Sequence, residues 1–278
     1  MTEASYDRFA AAYRDWWAPV IAPAAIDLLD RLDGRVPAHG GTILDIGTGT
    51  GTLALAALNR WPGARVVGVD PSRRMLEVAE AAARAAGVAD RFRTEVGDAG
   101  RLPLGDRSAD AAMSSFVLQL VPNRAAAVRE AYRVLRPGGA FACLVWRADD
   151  APWAAEAAFD DALDELDIDA PDPPGGGRPY ASPSSAAAEL RKAGFRSVRA
   201  REEWLEHRFT PASYVDLLEH WVEEDTFAPL DEPMRLRLRA ATLRRLERLD
   251  RREPDALVWR RPLVSVVGLR EPADRPRD

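Results

Sequence analysis

The chain has 278 residues, of which 47% are hydrophobic and 29% charged, with a formal net charge of −6. Those values suit a globular protein with an ample core, and they argue against a general nucleic-acid binder, which needs a clustered positive excess to neutralise phosphates. A single cysteine, Cys143, sits inside the apolar run AFACLVW, so neither a disulfide framework nor a thiolate metal site is available, and no metal is expected.

The opening MTEASYDRF has no charged segment followed by an apolar one, and no apolar stretch approaches the ~18 residues of a membrane helix. The chain therefore reads as cytoplasmic, with no membrane span. Residues 5–32 read as helices with a break around Pro19 and Pro23, and TILDI (42–46) as a short apolar strand. TLALAALNRW (52–61) is helical, ARVVGVD (64–70) a second strand, and SRRMLEVAEAAARAAG (72–87) a second helix ending at glycine. FRTEVGD (92–98) and ADAAMSSF (109–116) read as further strands. RAAAVREAYRVL (124–135) is a helix stopped by RPGG, and AFACLVW (140–146) a fifth strand. Five alternations of strand and helix predict an open parallel α/β sheet.

Beyond Trp146 the rhythm changes. PDPPGGGRP (171–179) is a loop, SPSSAAAELRKAGF a helix, and SVRAREEWLEHRF an extended, possible hairpin segment. Residues 211–252 are again helical, PLVSVVGL (262–269) is a last strand, and the polar tail reads as disordered. The predicted organisation is N-terminal cap helices over 1–35, a ligand-binding core over 36–146, and the remaining strands over 147–278. Cap insertions are expected at about 147–190 and 211–258.

LDIGTGTG (44–51) places three glycines at alternate positions after a strand. A dinucleotide fingerprint wants glycine at its sixth position, where Thr52 stands, and a P-loop wants a lysine that is absent here. Asp45, just before the turn, repels a pyrophosphate and attracts a cation. Asp70 ends the second strand, nineteen residues past Gly51, where an α/β sheet sets a carboxylate against ribose hydroxyls. Asp98 ends the third strand, where it can accept from an adenine amino group. The three strand ends together describe a nucleoside that carries positive charge and no phosphate.

ILDIGTGTGTLAL, VVGVDPSRRMLEVA, GDAGRLPL, ADAAMSSFVLQLVPN and REAYRVLRPGGAF, in this order, resemble class I S-adenosylmethionine (SAM)-dependent methyltransferases, and within them the ubiquinone/menaquinone-biosynthesis-like small-molecule branch. The resemblance implies a Rossmann-like, mostly parallel seven-stranded α/β sheet with helices on both faces and a helical cap. It implies SAM as cofactor, with Asp45, Gly47, Thr48, Gly49 and Gly51 at its methionine end and Asp70 on its ribose. Pro71 and Met75 would pack near the adenine, Asp98 and Ala99 would read its edge, and Ser115 and Phe116 would lie beside the amino group and sulfonium.

Methyl transfer needs alignment and exclusion of water more than a strong base, and no catalytic motif is evident. Of His39, His207 and His220, His207 is the best placed to act as a base, since it leads into the cap. Gln119 stands where many relatives have histidine or asparagine. Tyr6, Phe9, Tyr13, Trp16 and Trp17 crowd one face of the N-terminal helix. Tyr13, Trp17, Gln119 and Trp146 are the candidate acceptor pocket, to which Trp153, Trp204 and Trp221 could add walls. The acceptor is therefore expected to be a small, largely apolar or aromatic molecule. Eight arginines lie between Arg235 and Arg252, interleaved with leucines at helical spacing and preceded by an acidic stretch. They read as a solvated cap helix, the alternatives being an RNA- or protein-docking surface, or a SAM-binding protein without methyltransferase activity. Oligomeric state is not legible.

Overall fold

The computed structural model describes residues 9–37, 40–171 and 177–272. Tyr6, His39 and part of the proline- and glycine-rich loop lie outside these residues, as does the polar tail. Seven strands form one sheet in the order β3-β2-β1-β4-β5-β7-β6. β1 (Thr42–Ile46), β2 (Arg65–Asp70), β3 (Phe92–Val96), β4 (Ala109–Ser115) and β5 (Leu135–Trp146) are parallel. β7 (Val258–Leu269) runs antiparallel to both β5 and β6 (Arg196–Arg208). This is the mostly parallel seven-stranded α/β sheet that the sequence predicts. β1 lies between β2 and β4, so the order reverses there, and the crevice outside the strands' carboxyl ends is where such sheets bind ligands.

Helices cover both faces, which is why the inner strands read as apolar runs rather than as alternating patterns. Ile43 and Leu44, adjacent in β1, bury into opposite layers as a pleated strand requires. On one side α4 (Arg124–Val134) and α6 (Pro183–Lys192) bury Val128, Ala131 and Leu190 against Leu44, Ile46 and Phe141. On the other, α2 (Thr52–Arg60) and the N-terminal helical run bury Leu28, Leu29 and Leu58 against Ile43, Val66 and Met113. α3 (Arg73–Ala85) packs on β2 and β3.

A third cluster lies over the carboxyl ends. α5 (Ala154–Leu166), α7 (Pro211–Leu217), α8 (Glu224–Phe227) and α9 (Glu232–Arg252) bury Phe159, Tyr214, Phe227 and Leu238 together with Val20 of the N-terminal run. The expected insertion of 147–190 takes in α6, yet Ala186 and Leu190 lie in the cluster under the sheet, so α6 packs with the core.

Three local expectations are corrected. The N-terminal run does not break at its prolines: a π turn (Tyr13–Trp17), α1 (Ala18–Asp27) and a 3₁₀ turn (Leu28–Leu32) follow one another. The amide of Ala18 bonds back to Tyr13 O, so Pro19 falls at the π-to-α junction, where the bond pattern has already shifted. The segment after α6 is a single strand of 13 residues, not a hairpin, because β7 pairs along its length. RPGG belongs to β5, where Leu135 pairs with Ala109 and pairing resumes at Ala111 with Ala140 after an irregularity.

Candidate active site

The turn after β1 is held in an unusual backbone state. Gly47, Gly49 and Gly51 all have positive φ, at 72°, 54° and 88°. A side chain at Gly47 would collide with Val117, so glycine here lets the ends of β1 and β4 close up. At Gly49 the nearest atom to an added Cβ is Cε1 of Tyr13, at 4.0 Å. The Gly49 position thus faces the N-terminal helix, with room for a methyl group in contact with Tyr13.

Asp45 is 1% exposed, and its carboxylate accepts a hydrogen bond from Oγ1 of Thr48 at 2.8 Å. Burial, with the charge of nearby Asp70 adding to it, pushes its pKa up to about 7. Among the described residues no arginine or lysine acts to hold it ionised, so a cation brought to the site would favour its ionised form.

Asp70 ties two loops together. Its Oδ2 accepts from the Gly49 amide at 2.9 Å and its Oδ1 from the Ser72 amide at 3.0 Å. Ser72 is fully buried and its hydroxyl accepts from the Met75 amide at 3.0 Å, capping α3; such a cap is worth about 1 kcal/mol. Met75 is buried beneath this cap, whereas Pro71 is exposed at the strand end. The end of β3 is joined to β2 by the Gly97 amide, which donates to Asp70 O at 3.1 Å. Asp98 follows, exposed, with its Oδ1 accepting from the Gly100 amide at 2.6 Å, and Ala99 is buried behind it.

At the end of β4, Phe116 has a φ of 56°, a conformation that costs a residue with a side chain about 1–2 kcal/mol. Two hydrogen bonds hold it: its amide donates to Leu144 O at 2.8 Å, and its carbonyl accepts from Nε2 of Gln119 at 2.7 Å. Gln119 Oε1 is buried with no partner among the described residues. The Phe116 ring packs on Trp146 at 4.6 Å, Trp146 on Trp259 at 5.7 Å, and Trp17 on Trp259 at 5.6 Å. A wall of four aromatic rings thus extends from the end of β4 to the N-terminal helix.

The helix closes the crevice. Tyr13, Ala18 and Ala22 face Asp45, Thr48 and Ser115 across a cavity of only about 20 Å³. That is room for one water, against several hundred Å³ for a nucleoside-sized ligand. The residues proposed for the nucleoside do not line this cavity, so it is the methionine end of such a ligand that needs the helix to move outward. The residues otherwise suit SAM: a buried carboxylate lacking a counter-charge stands where an ammonium would sit, and glycines clear the backbone around it.

Several expected residues lie elsewhere. His207 is not among the residues lining the cavity; it pairs across strands with Trp259 of the aromatic wall, and its ring packs edge-on against Phe209 at 4.4 Å. Desolvation lowers its pKa. Trp204 is 55% exposed on β6 and walls no pocket, and Trp153 packs on Tyr214 at 4.8 Å within the cap. Four of the eight arginines of α9 are paired with the cap's own acids. Arg239 pairs with Asp216 and Glu219, Arg235 with Glu219, and Arg244 and Arg245 with Glu165. Sequence reading missed Val117, Ser72 and the small-residue stripe Ala18, Ala22 and Ala25. The stripe's spacing of four and three was the available signal that one helix face approaches a backbone closely.

Residues 44–143 match the family described as "Methyltransferase domain". The chain is 42% identical over 108 residues to the ubiquinone/menaquinone biosynthesis C-methyltransferase UbiE of Paracoccus denitrificans, a stretch covering 39% of this chain and 43% of that one. It spans less than half the length of the curated relatives it matches. Among solved structures, phosphoethanolamine N-methyltransferase 2 of Haemonchus contortus, in complex with S-adenosylhomocysteine (SAH), aligns with a TM-score of 0.58 at 18% identity, covering 96% of this chain and 58% of that one. The [4+2]-cyclase SpnF aligns with a TM-score of 0.57 at 21% identity, covering 90% and 82%.

Residues 44–143 are thus a methyltransferase domain of the class I SAM-dependent type. Over this stretch it is similar to the ubiquinone/menaquinone biosynthesis C-methyltransferases, and its cofactor is SAM.

Proposed function

We propose that the protein transfers the methyl group of SAM to a small, largely apolar or aromatic acceptor. The observation that carries this reading is the aromatic wall Phe116–Trp146–Trp259–Trp17, which begins one residue from Ser115 at the cavity. Flat apolar rings of this kind suit a planar acceptor better than a charged polymer. The relatives named for ubiquinone and menaquinone biosynthesis point the same way, toward a quinol-type ring methylated at carbon.

In this reading Asp45, with Gly47, Thr48, Gly49 and Gly51, receives the methionine end. Asp70 receives the ribose, Pro71 and Met75 flank the adenine, and Asp98 and Ala99 meet its edge. Ser115 and Phe116 lie at the sulfonium. When bound, SAM supplies an activated methyl group. The protein aligns the acceptor's nucleophilic atom, a ring carbon for a quinol, with that methyl carbon so that SAH leaves on the opposite side, and keeps water out by closing the N-terminal helix. Trp146 and Trp17 orient the acceptor ring, and Gln119 borders the same strand end. An amide takes up no proton, so the acceptor's proton leaves to solvent or is lost before binding.

The pairing of Arg235, Arg239, Arg244 and Arg245 with acids of the cap weighs against docking of RNA or protein there. The fold also occurs in a protein named as a cyclase, so the reaction has to be tested directly. Incubation with methyl-labelled SAM and 1,4-naphthohydroquinone, catechols and aryl amines, read by mass spectrometry, is that test. A labelled aromatic product supports the reading. SAM bound with no label passing to any of these compounds contradicts it.

A further inference from the structure

Two π-helical turns meet above the cofactor cavity. One is Tyr13–Trp17, at the start of the N-terminal run, and the other is Leu218–Val222, between α7 and α8 in the cap. They are in contact through aromatic rings. Trp221 stands edge-on to Tyr13 at 5.3 Å and to Phe9 at 6.5 Å, while His220 stacks on Trp16 at 4.8 Å with an interplanar angle of 24°. π turns are rare and cluster at functional places, because each trades regular hydrogen bonding for a shifted side-chain direction. Here the shift at both turns aims rings at each other.

The consequence lies one residue contact away. Tyr13 lines the cavity, and its Cε1 is the atom nearest to the space above Gly49. The cavity at the methionine end holds about one water, so Tyr13 and its helix move outward when that end of SAM or of its product passes. On its other side the helix is anchored by Trp17 in the aromatic wall.

We propose that Trp221 and His220 are positioning residues, a latch on the cap that holds Tyr13 and Trp16 over the glycine turn and sets the rate of cofactor exchange. Neither touches the cofactor's place. Each acts through a ring on the N-terminal helix. The latch also couples the cap to the cofactor site, since its strand of contacts runs from α7 and α8 to Gly49. This inference rests on SAM being the ligand of the cavity and is independent of the acceptor's identity.

The test is stopped-flow binding and release of SAH by the full chain, followed by tryptophan fluorescence, for wild type, Trp221→Ala, Trp221→Phe and His220→Ala. Edge-to-face pairs of this kind correspond to about 2- to 10-fold in an equilibrium. Trp221→Ala, which removes two of them, is expected to raise both the association and dissociation rates by about tenfold, leaving Kd within about threefold. Trp221→Phe is expected to restore most of the wild-type rates. His220 is a surface side chain, so His220→Ala serves as the variant least able to disturb folding, and a change of the same sign by about threefold is expected. A site that was merely damaged would release SAH faster without binding it faster. An unchanged or slower association rate in both alanine variants would overturn the latch. Failure of the wild type to bind SAH would instead overturn the assignment of the cavity's ligand.

Discussion

The amide of Gly49 donates to Oδ2 of Asp70 at 2.9 Å, so the acidic end of β2 and the glycine turn after β1 form one structural unit. Asp70 has a structural duty as well as the ribose-binding role proposed for it. Asp70→Ala is expected to weaken SAH binding at least a hundredfold. It is also expected to destabilise the fold by about 1–3 kcal/mol, because the amides of Gly49 and Ser72 lose their acceptor. Calorimetric titration and thermal melting check the two effects separately. Undiminished stability would show that water replaces the carboxylate at no cost.

The glycines of the turn are expected to separate by experiment. Gly47→Ala places a methyl group against Val117 at a backbone angle that favours glycine, so it should destabilise the protein by more than 2 kcal/mol, on the order of an overpacked core. Gly49→Ala meets only Tyr13, at contact distance, and should cost about 1 kcal/mol of backbone strain. It should fold and yet bind SAH at least tenfold more weakly, because the added methyl group fills the space between the glycine turn and Tyr13. Denaturant unfolding and SAH titration of the two variants read this contrast directly.

Asp45 gives the site a pH dependence with a definite sign. Its pKa in the folded protein, about 7, lies above its ordinary 3.8, so the folded state keeps a proton that the unfolded chain releases between those values. Stability therefore falls as pH rises through that window, by an amount on the order of 4 kcal/mol. Cofactor binding has the opposite sign, since an ammonium favours the ionised carboxylate. SAH affinity should rise about fivefold from pH 6 to pH 7 and about twofold more by pH 8, levelling off above, with close to one proton released on binding at pH 6. Calorimetry in buffers of different ionisation enthalpy measures that proton. Asp45→Asn should abolish both slopes.

His207 lies outside the cavity, packed against Phe209 and paired with Trp259. His207→Ala is expected to leave SAH affinity and methyl transfer within about threefold of wild type. A loss of turnover beyond a hundredfold with intact folding would restore it as the base.

Much of the site could be read from LDIGTGTG, Asp70 and Asp98, because a parallel sheet puts the carboxyl ends of its strands along one edge whatever else the chain does. Five parallel strands followed from apolar runs and the alternation of strand and helix, whereas the seven-stranded sheet was what the family resemblance implied, since β6 carries no apolar run. Long-range contacts were not legible. Val117 against Gly47, the Gly49–Asp70 bond and the pairing of β7 along all of β6 join residues far apart in sequence, and local pattern carries no trace of them. Pro19 and Pro23 suggested a break because a proline removes a hydrogen bond, but a π turn had already moved the bond that Pro19 would have disrupted. α6 was grouped with the cap because it follows a loop; its Ala186 and Leu190 bury under the sheet instead.

The central claim is that Asp45 and the glycine turn hold the methionine end of SAM. Its most direct measurement is calorimetric titration of SAH into wild type, Gly49→Ala and Asp45→Asn at pH 8. The account predicts one SAH per chain for wild type, with affinity at least tenfold lower in each variant while both remain folded. Absence of binding by the wild type, or binding that neither substitution changes, would contradict it.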